Sequence, residues 1–303
     1  MARRPVPTLP HLLAELGATT VEGGGADHAD EALAASVRLL EAAAREAATV
    51  GGWTADDPLR LAKGRVGWLA RCPRRALAPT DGDLTDDLVA GLVVDAAAKL
   101  ATLVPHRRPT VEAAVRYLEA TGDTAVARHL ADRADGGALQ ADVAGRVALL
   151  AGLWPELDAG WWPRVEEPVR MALAGGAVVV SGRLDLLLGG PPTPRPAVVV
   201  EVKGGRWHDS ARADAHLYAL LLARRDRRAP AAVVTVVADG TTQVEPVRPA
   251  VLATAADRVV HALEVAATIA AGEPAPAHPG PHCAHCSLRR GCPEAALAPT
   301  AGS

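Results

Sequence analysis

The chain has 303 residues, 32 basic and 35 acidic side chains for a formal net charge of −3, and is 49% hydrophobic and 22% charged. That balance suits a folded protein rather than a disordered one, and it excludes gripping nucleic acid through a global positive field. No stretch reaches the roughly 18 apolar residues of a membrane helix, and the start, Arg3-Arg4 followed by Pro5, Pro7 and Pro10, does not read as a signal peptide; a cytoplasmic protein with no membrane partner is expected.

The first half reads as helical. Glu31–Ala48 is rich in Ala and Leu with early acids. Pro58 with Leu61, Val66 and Leu69 predicts a helix running to Cys72-Pro73, and Asp83-Leu84-Thr85 precedes one through Leu100. Thr110–Ala120, Thr124–Ala134 and Leu139–Leu153 follow, punctuated by Gly122-Asp123 and Gly136-Gly137. Near Trp161 the pattern changes. Val165–Leu173 reads as a strand, Gly175-Gly176 as a turn, and Ala177–Val180 and Arg183–Leu188 as two short strands. A Pro-rich loop leads to the β-prone run Ala197–Lys203. Ser210–Ala223 is helical, Ala231–Val237 and Thr241–Val247 pair about Gly240, and Pro249–Ala271 is a long helix. The expected division is an N-terminal helical extension (1–57), a helical region carrying the first cysteine (58–160), an α/β core (161–272) and a Cys-rich tail (273–303).

Two scarcities stand out against 65 Ala and no Phe. Only three lysines, Lys63, Lys99 and Lys203, accompany 29 arginines, and the four cysteines are Cys72, Cys283, Cys286 and Cys292. The richest stretch is Gly182-Arg183-Leu184-Asp185, a loop, then Val200-Glu201-Val202-Lys203. Alternate residues of a strand share a face, so Glu201 and Lys203 point together with the Val202 carbonyl between them. A neighbouring strand can bring Asp185 within reach. Two carboxylates and a carbonyl are hard donors for Mg²⁺ or Mn²⁺, which can polarise a phosphodiester and activate water. Lys203 can orient that water or offset developing charge, as a point charge whose proton is exchangeable, where Arg fits poorly. A strand end entering solvent with an ion pair has the same local pattern.

Asp185…Glu201-x-Lys203 resembles the PD-(D/E)XK nuclease signature, and Val165-Glu166-Glu167-Pro168-Val169, Gly175-Gly176 and Gly182-Arg183-Leu184-Asp185 resemble the strand block of RecB-type members. The resemblance implies a restriction-endonuclease-like α/β fold, a mixed central sheet flanked by helices, with Asp185, Glu201, Val202 and Lys203 in the catalytic and metal site. RecB-type members continue with Gln-x-x-x-Tyr. Tyr218 fits, but Asp214 stands at the Gln position. Their upstream Gly-x-x-x-His has its nearest match in Gly91-Leu-Val-Val-Asp95, which makes Asp95 a further metal ligand by resemblance; His106 and His129 are other candidates.

Cys283-Ala-His-Cys286, five residues, and Cys292 form a C-x2-C-x5-C tail whose fourth thiolate can only be Cys72. Four thiolates suit a 4Fe–4S cluster or Zn²⁺, and spacing does not separate them. With Trp68-Leu-Ala-Arg-Cys72-Pro73-Arg74-Arg75 and Cys292-Pro293, the set resembles the iron–sulfur staple of AddB-type, CRISPR-adaptation (Cas-four-type) and Dna-two nucleases. His282 and His285 read as neighbours of the ligands. The resemblance implies an iron–sulfur DNA nuclease of repair, recombination or defence acting on single-stranded DNA or duplex ends. Arg71, Arg74, Arg75, Arg289 and Arg290 are the favoured phosphate contacts, with Trp161-Trp162 as a stacking candidate or core. No Walker A loop occurs, so unwinding would fall to a partner such as a helicase or an adaptation or repair protein. The rival readings are a zinc-stapled nuclease and a non-catalytic nucleic-acid-binding or scaffold protein on the same fold; Asp95 and Asp214 favour the latter, and the intact Asp185, Glu201 and Lys203 oppose it.

Overall fold

The computed structural model describes residues 8–18, 26–78, 84–132, 136–205 and 207–297. In chain order the elements are α1 (Leu9–Ala18), α2 (Ala26–Gly51), β1 (Leu59–Ala62), α3 (Lys63–Arg71), α4 (Pro73–Ala76), α5 (Asp86–Leu103), α6 (Val111–Ala120), α7 (Thr124–Asp132), α8 (Gly136–Leu153), β2 (Arg164–Leu173), β3 (Val178–Leu188), β4 (Val198–Lys203), α9 (Asp209–Asp226), β5 (Ala232–Val237), β6 (Thr242–Pro246) and α10 (Pro249–Ala270). The fold is α/β, with a mixed sheet flanked by helices. Two compact units share it. The first draws on Met1–Ala29, Leu84–Val169 and Arg183–Arg248, the second on Asp30–Asp83, Arg170–Gly182 and Pro249–Ser303.

In the first unit the end of β3 runs antiparallel to β4 (Leu186 opposite Val200, Leu188 opposite Val198), β4 is parallel to β5, and β5 is antiparallel to β6. The parallel step needs a crossover, and α9 supplies it. β4 and β5 are buried along almost their whole length. Such unbroken apolar runs need cover on both faces. α5 packs on β4, and α9 packs on β4 and β5. The α5 face is made of Val89, Ala90, Val93, Val94 and Ala97, whose small side chains let helix and strand backbones approach. Thr85 caps α5 by accepting from the Leu88 amide, with Asp86 and Asp87 in the first turn against the helix dipole.

In the second unit β1 is parallel to the start of β3, with Leu59 opposite Val178 and Ala62 opposite Ser181. α3 packs on α10. The Glu41 carboxylate of α2 accepts from the Ala174 amide at 2.9 Å, pinning the turn after β2.

Three elements differ from the sequence expectation. Leu59–Ala62 is a strand, not the start of a helix: its burial alternates with period two, and a parallel partner overrides helix propensity. Residues 178–188 form one strand, because Gly182 stays in line instead of turning. α1 was not anticipated. Asp83 and the end of the helix expected to reach Ala134 lie outside the described residues. No helix among the described residues is long and apolar enough to cross a membrane.

The edge strand β6 is tied to α9 by charge. Arg212 forks across both Glu245 oxygens (2.8 and 2.6 Å), and the His216 ring lies 2.8 Å from Glu245 Oε2. The Arg212 guanidinium, aided by His216 against the opposing pull of burial, holds the Glu245 carboxyl down from 4.5 to about 2. A carboxyl depressed by folding contributes stability that is complete above its unfolded pKa and is lost as pH falls through the folded one. The window is therefore about pH 4.5 down to about 2, and the contribution at neutral pH is of the order of 3 kcal/mol. Glu245→Gln is expected to lower the melting temperature by several degrees at pH 7. Across that acid window its thermal scans should fall less steeply than those of wild type.

Candidate active site

β3 and β4 build the site in the first unit. One step beyond the pairing of Leu186 with Val200 brings Asp185 opposite Glu201. Asp185 Oδ2 accepts from the Val202 amide at 2.7 Å, locking the two strand ends together. Glu201 is fully buried, and its Oε1 accepts from Lys203 Nζ at 2.6 Å. Lys203 in turn lies 3.9 Å from Asp214 Oδ2 on α9. The residue standing where Gln was expected therefore faces the lysine, a placement the sequence did not reveal. Tyr218, one helical turn further, is buried, and its hydroxyl donates to the Arg183 carbonyl. It braces the strand that carries Asp185.

α5 adds a second layer. Lys99 Nζ bonds to both Asp95 Oδ2 and Glu166 Oε1, and Arg183 reaches Glu166 Oε2 at 3.0 Å. Burial pushes the Asp95 carboxyl up; Lys99 opposes this, and the charges of Glu166 and Glu201 add to the rise. Burial would lower Lys99, but Asp95 and Glu166 outweigh it and raise it. Burial would raise Glu166, but Lys99 and Arg183 bring it below the ordinary carboxylate value. Sequence reasoning did not place Lys99 or Glu166 at the site; the one available signal was the rarity of lysine.

The approach of α5 depends on glycine. A Cβ on Gly204, the residue after Lys203, would lie 2.2 Å from the Gly91 Cα, whereas a Cβ on Gly91 would meet nothing within 4 Å. Arg146 of α8 holds the same strand end by donating to the Gly204 carbonyl at 2.7 Å.

The donor chemistry of Asp95, Asp185, Glu201 and the Val202 carbonyl fits a hard divalent cation. Asp95 Oδ1 supports that fit: it is buried and has no hydrogen-bond partner, a costly arrangement unless something binds it. As they stand, no three His, Cys, Asp or Glu side chains among the described residues are grouped to hold a single ion.

In the second unit Cys72, Cys283, Cys286 and Cys292 line one cavity, with Arg74, His282, Arg289 and Glu294 among its other walls. All four are free thiols. Cys72 joins α3 to α4, Cys283 and Cys286 lie in and just after a 3₁₀ turn at Pro281–His285, and Cys292 ends another at Arg289–Gly291. Arg74 Nη1 lies 3.7 Å from Cys292 Sγ and 2.8 Å from Glu294 Oε2. The Arg74 amide donates to the Pro276 carbonyl at 3.0 Å, and Arg75 Nη1 to Ser287 Oγ at 2.8 Å.

A sequence profile of the PD-(D/E)XK nuclease superfamily matches residues 60–293. The chain belongs to this superfamily. No curated protein sequence matches it. Among solved structures, the crystal structure of SSO0001 aligns over 84% of this chain and 94% of its own, at 15% identity and a TM-score of 0.36. The superfamily consists generally of nucleases that usually use divalent metals, and the mixed sheet flanked by helices accords with its fold.

His129 pairs with Asp86 at 2.9 Å, and exposed His106 faces Glu156 at 3.7 Å. The guanidinium groups of Arg71 and Arg75 lie over the Trp68 ring, 5.0 and 5.4 Å from its centroid. Arg290 is exposed. Trp161 is core, whereas Trp162 is 42% exposed under the Arg164 guanidinium. The His285 side chain lies outside the described residues.

Gly204→Ala is expected to push α5 off the end of β4, costing about 1–3 kcal/mol as overpacking does and most of any nuclease activity. Gly91→Ala should be neutral or slightly stabilising, since Ala outranks Gly in a helix by about 1 kcal/mol. Equal losses in the two variants, measured by denaturant unfolding, would remove the close-approach explanation.

Proposed function

We propose that this protein is a divalent-cation-dependent deoxyribonuclease of the RecB-like type, acting on single-stranded DNA or duplex ends. The reading rests on one observation above others: the β3–β4 register sets Asp185 opposite buried Glu201, with Lys203 two residues on and Asp95 offering a buried oxygen without a hydrogen-bond partner. Asp95, Asp185, Glu201 and the Val202 carbonyl are the groups that would hold Mg²⁺ or Mn²⁺. When bound, such a cation supplies Lewis acidity toward the phosphodiester and lowers the pKa of a water.

The chain's own residues do the rest. Lys203 keeps its ammonium beside Glu201 while retaining partial exposure, which suits it to orient the attacking water and to meet charge developing on phosphate. Asp214 restrains Lys203 from the far side. Tyr218 and the Asp185 bond to the Val202 amide fix the two strand ends, so the reacting groups are held before substrate arrives. Arg75 and Arg289 at the cysteine cavity, with Arg71 and exposed Arg290, would contact DNA phosphates; Arg74, already engaged by Glu294, would position the tail.

The four thiols lining one cavity support a 4Fe–4S cluster held by Cys72, Cys283, Cys286 and Cys292. The resemblance to AddB-type and CRISPR-adaptation nucleases favours iron–sulfur over zinc. A repair, recombination or defence role, with a separate helicase or adaptation protein, follows from the same resemblance.

Lys203→Ala and Asp185→Ala should each reduce Mg²⁺-dependent cleavage of single-stranded DNA by at least about 10²–10³-fold, with unchanged circular dichroism. Wild type that cleaves neither single- nor double-stranded DNA with Mg²⁺ or Mn²⁺ would sink the nuclease assignment. Protein purified without oxygen should be brown, with broad visible absorbance lost in Cys72→Ser and Cys286→Ser. A colourless protein carrying stoichiometric zinc would replace the cluster by a zinc staple, since Zn²⁺ has a filled d shell.

A further inference from the structure

Lys99 is one of only three lysines in the chain, and its ammonium joins two carboxylates from different elements, Asp95 of α5 and Glu166 of β2. Its side chain is only 11% exposed, so this is not a surface pair averaged by solvent. The backbone also pays for the contact. Glu166 has φ +56° within a strand, a left-handed conformation that costs a non-glycine residue about 1–2 kcal/mol. Strain of this kind persists where the surroundings hold it in place, and it collects at active sites. Here Lys99 and Arg183 hold the Glu166 side chain between them.

A cation bridging two carboxylates beside the reacting groups is the part a second metal ion plays in two-metal phosphodiesterases. A lysine ammonium, a compact point charge, resembles a metal ion in this part more closely than the planar fork of a guanidinium does. Charge points the same way. Five carboxylates, Asp95, Glu166, Asp185, Glu201 and Asp214, are met by three cations, Lys99, Arg183 and Lys203. One divalent ion balances the remainder, and a second would have to share Asp95 and Glu166 with the Lys99 ammonium.

We propose that Lys99 is a built-in substitute for a second metal ion: a positioning residue that holds Asp95 and Glu166 so that the site takes up a single divalent cation, with Asp95 Oδ1 turned to it. This inference rests on the metal-dependent reading above. The test is a count of bound Mn²⁺, by electron paramagnetic resonance of the free ion during titration of the full-length protein. Mn²⁺ is hard, so the thiols do not compete for it.

Wild type should bind one Mn²⁺ per chain. Lys99→Met should bind two, and Lys99→Met combined with Asp95→Asn should return to one. A role confined to stability would change the melting temperature but not the count. Two ions on wild type, or one on Lys99→Met, overturn the proposal while leaving the nuclease reading intact. No uptake by wild type overturns both. The wild-type count stands whether or not Lys99→Met folds, and Lys99→Gln repeats the test with a polar side chain of similar length.

Discussion

The site depends on the antiparallel register of β3 against β4. Because side chains alternate along a strand, a slip of one residue would carry Asp185 to the opposite face from Glu201 and Lys203. What prevents the slip is burial. Leu186, Leu188, Val198, Val200 and Val202 lie on the face that packs into the core with α5, and a slip would bring charge there instead. The apolar half of the pattern thus specifies where the charged half must stand. The Asp185 bond to the Val202 amide closes the ladder where regular pairing ends, so a site carboxylate doubles as a structural clamp.

Composition and chemistry meet at the same strand end. A core built from Ala, Val and Leu without Phe lets helices ride close to the sheet, and Gly204 lets α5 come closer still. That approach carries Asp95 and Lys99 toward residues of β2 and β4. The cost of collecting five carboxylates is then offset in part by ammonium groups placed among them, since buried charge is tolerated only when paired. Two of the three lysines, Lys99 and Lys203, stand in this cluster. Each sets a compact point charge against two carboxylates.

Much of this could be read from the chain and some could not. Asp185, Glu201 and Lys203 were legible because strand periodicity and their spacing put them on one face. The helices 111–120 and 249–270 were legible because their apolar positions repeat with helical period. β1 was not: four residues are too few for a period to show, and its reason to be a strand is a partner more than a hundred residues away. Lys99 and Glu166 were hidden for a related cause. Their contact is made by packing α5 against the sheet and by a left-handed residue inside β2, and neither leaves a local signature. Asp214 looked like a departure from a motif, yet its helix places it beside Lys203.

The cysteines raise a different question of scale. Cys72 and Cys283 are over two hundred positions apart, and joining the ends of a free chain that long would remove about 5 kcal/mol of unfolded-state entropy. The folded unit does not leave the loop that long. α10 packs on α3, and the backbone bond from Arg74 to Pro276 brings the tail back to the first cysteine's own helix. What remains open is the dozen residues after Ala270, whose closure is worth nearer 3 kcal/mol. His278 adds a contact to the Arg71 carbonyl at 3.0 Å, and further along the tail Arg74 pairs with Glu294 and Arg75 with Ser287 at partly exposed positions, where solvent competes for such polar contacts. These contacts gather the four thiols around one cavity. A metal group bound by all four would therefore act on the tail and the loops beside it, while α3 and α10 pack on each other without it.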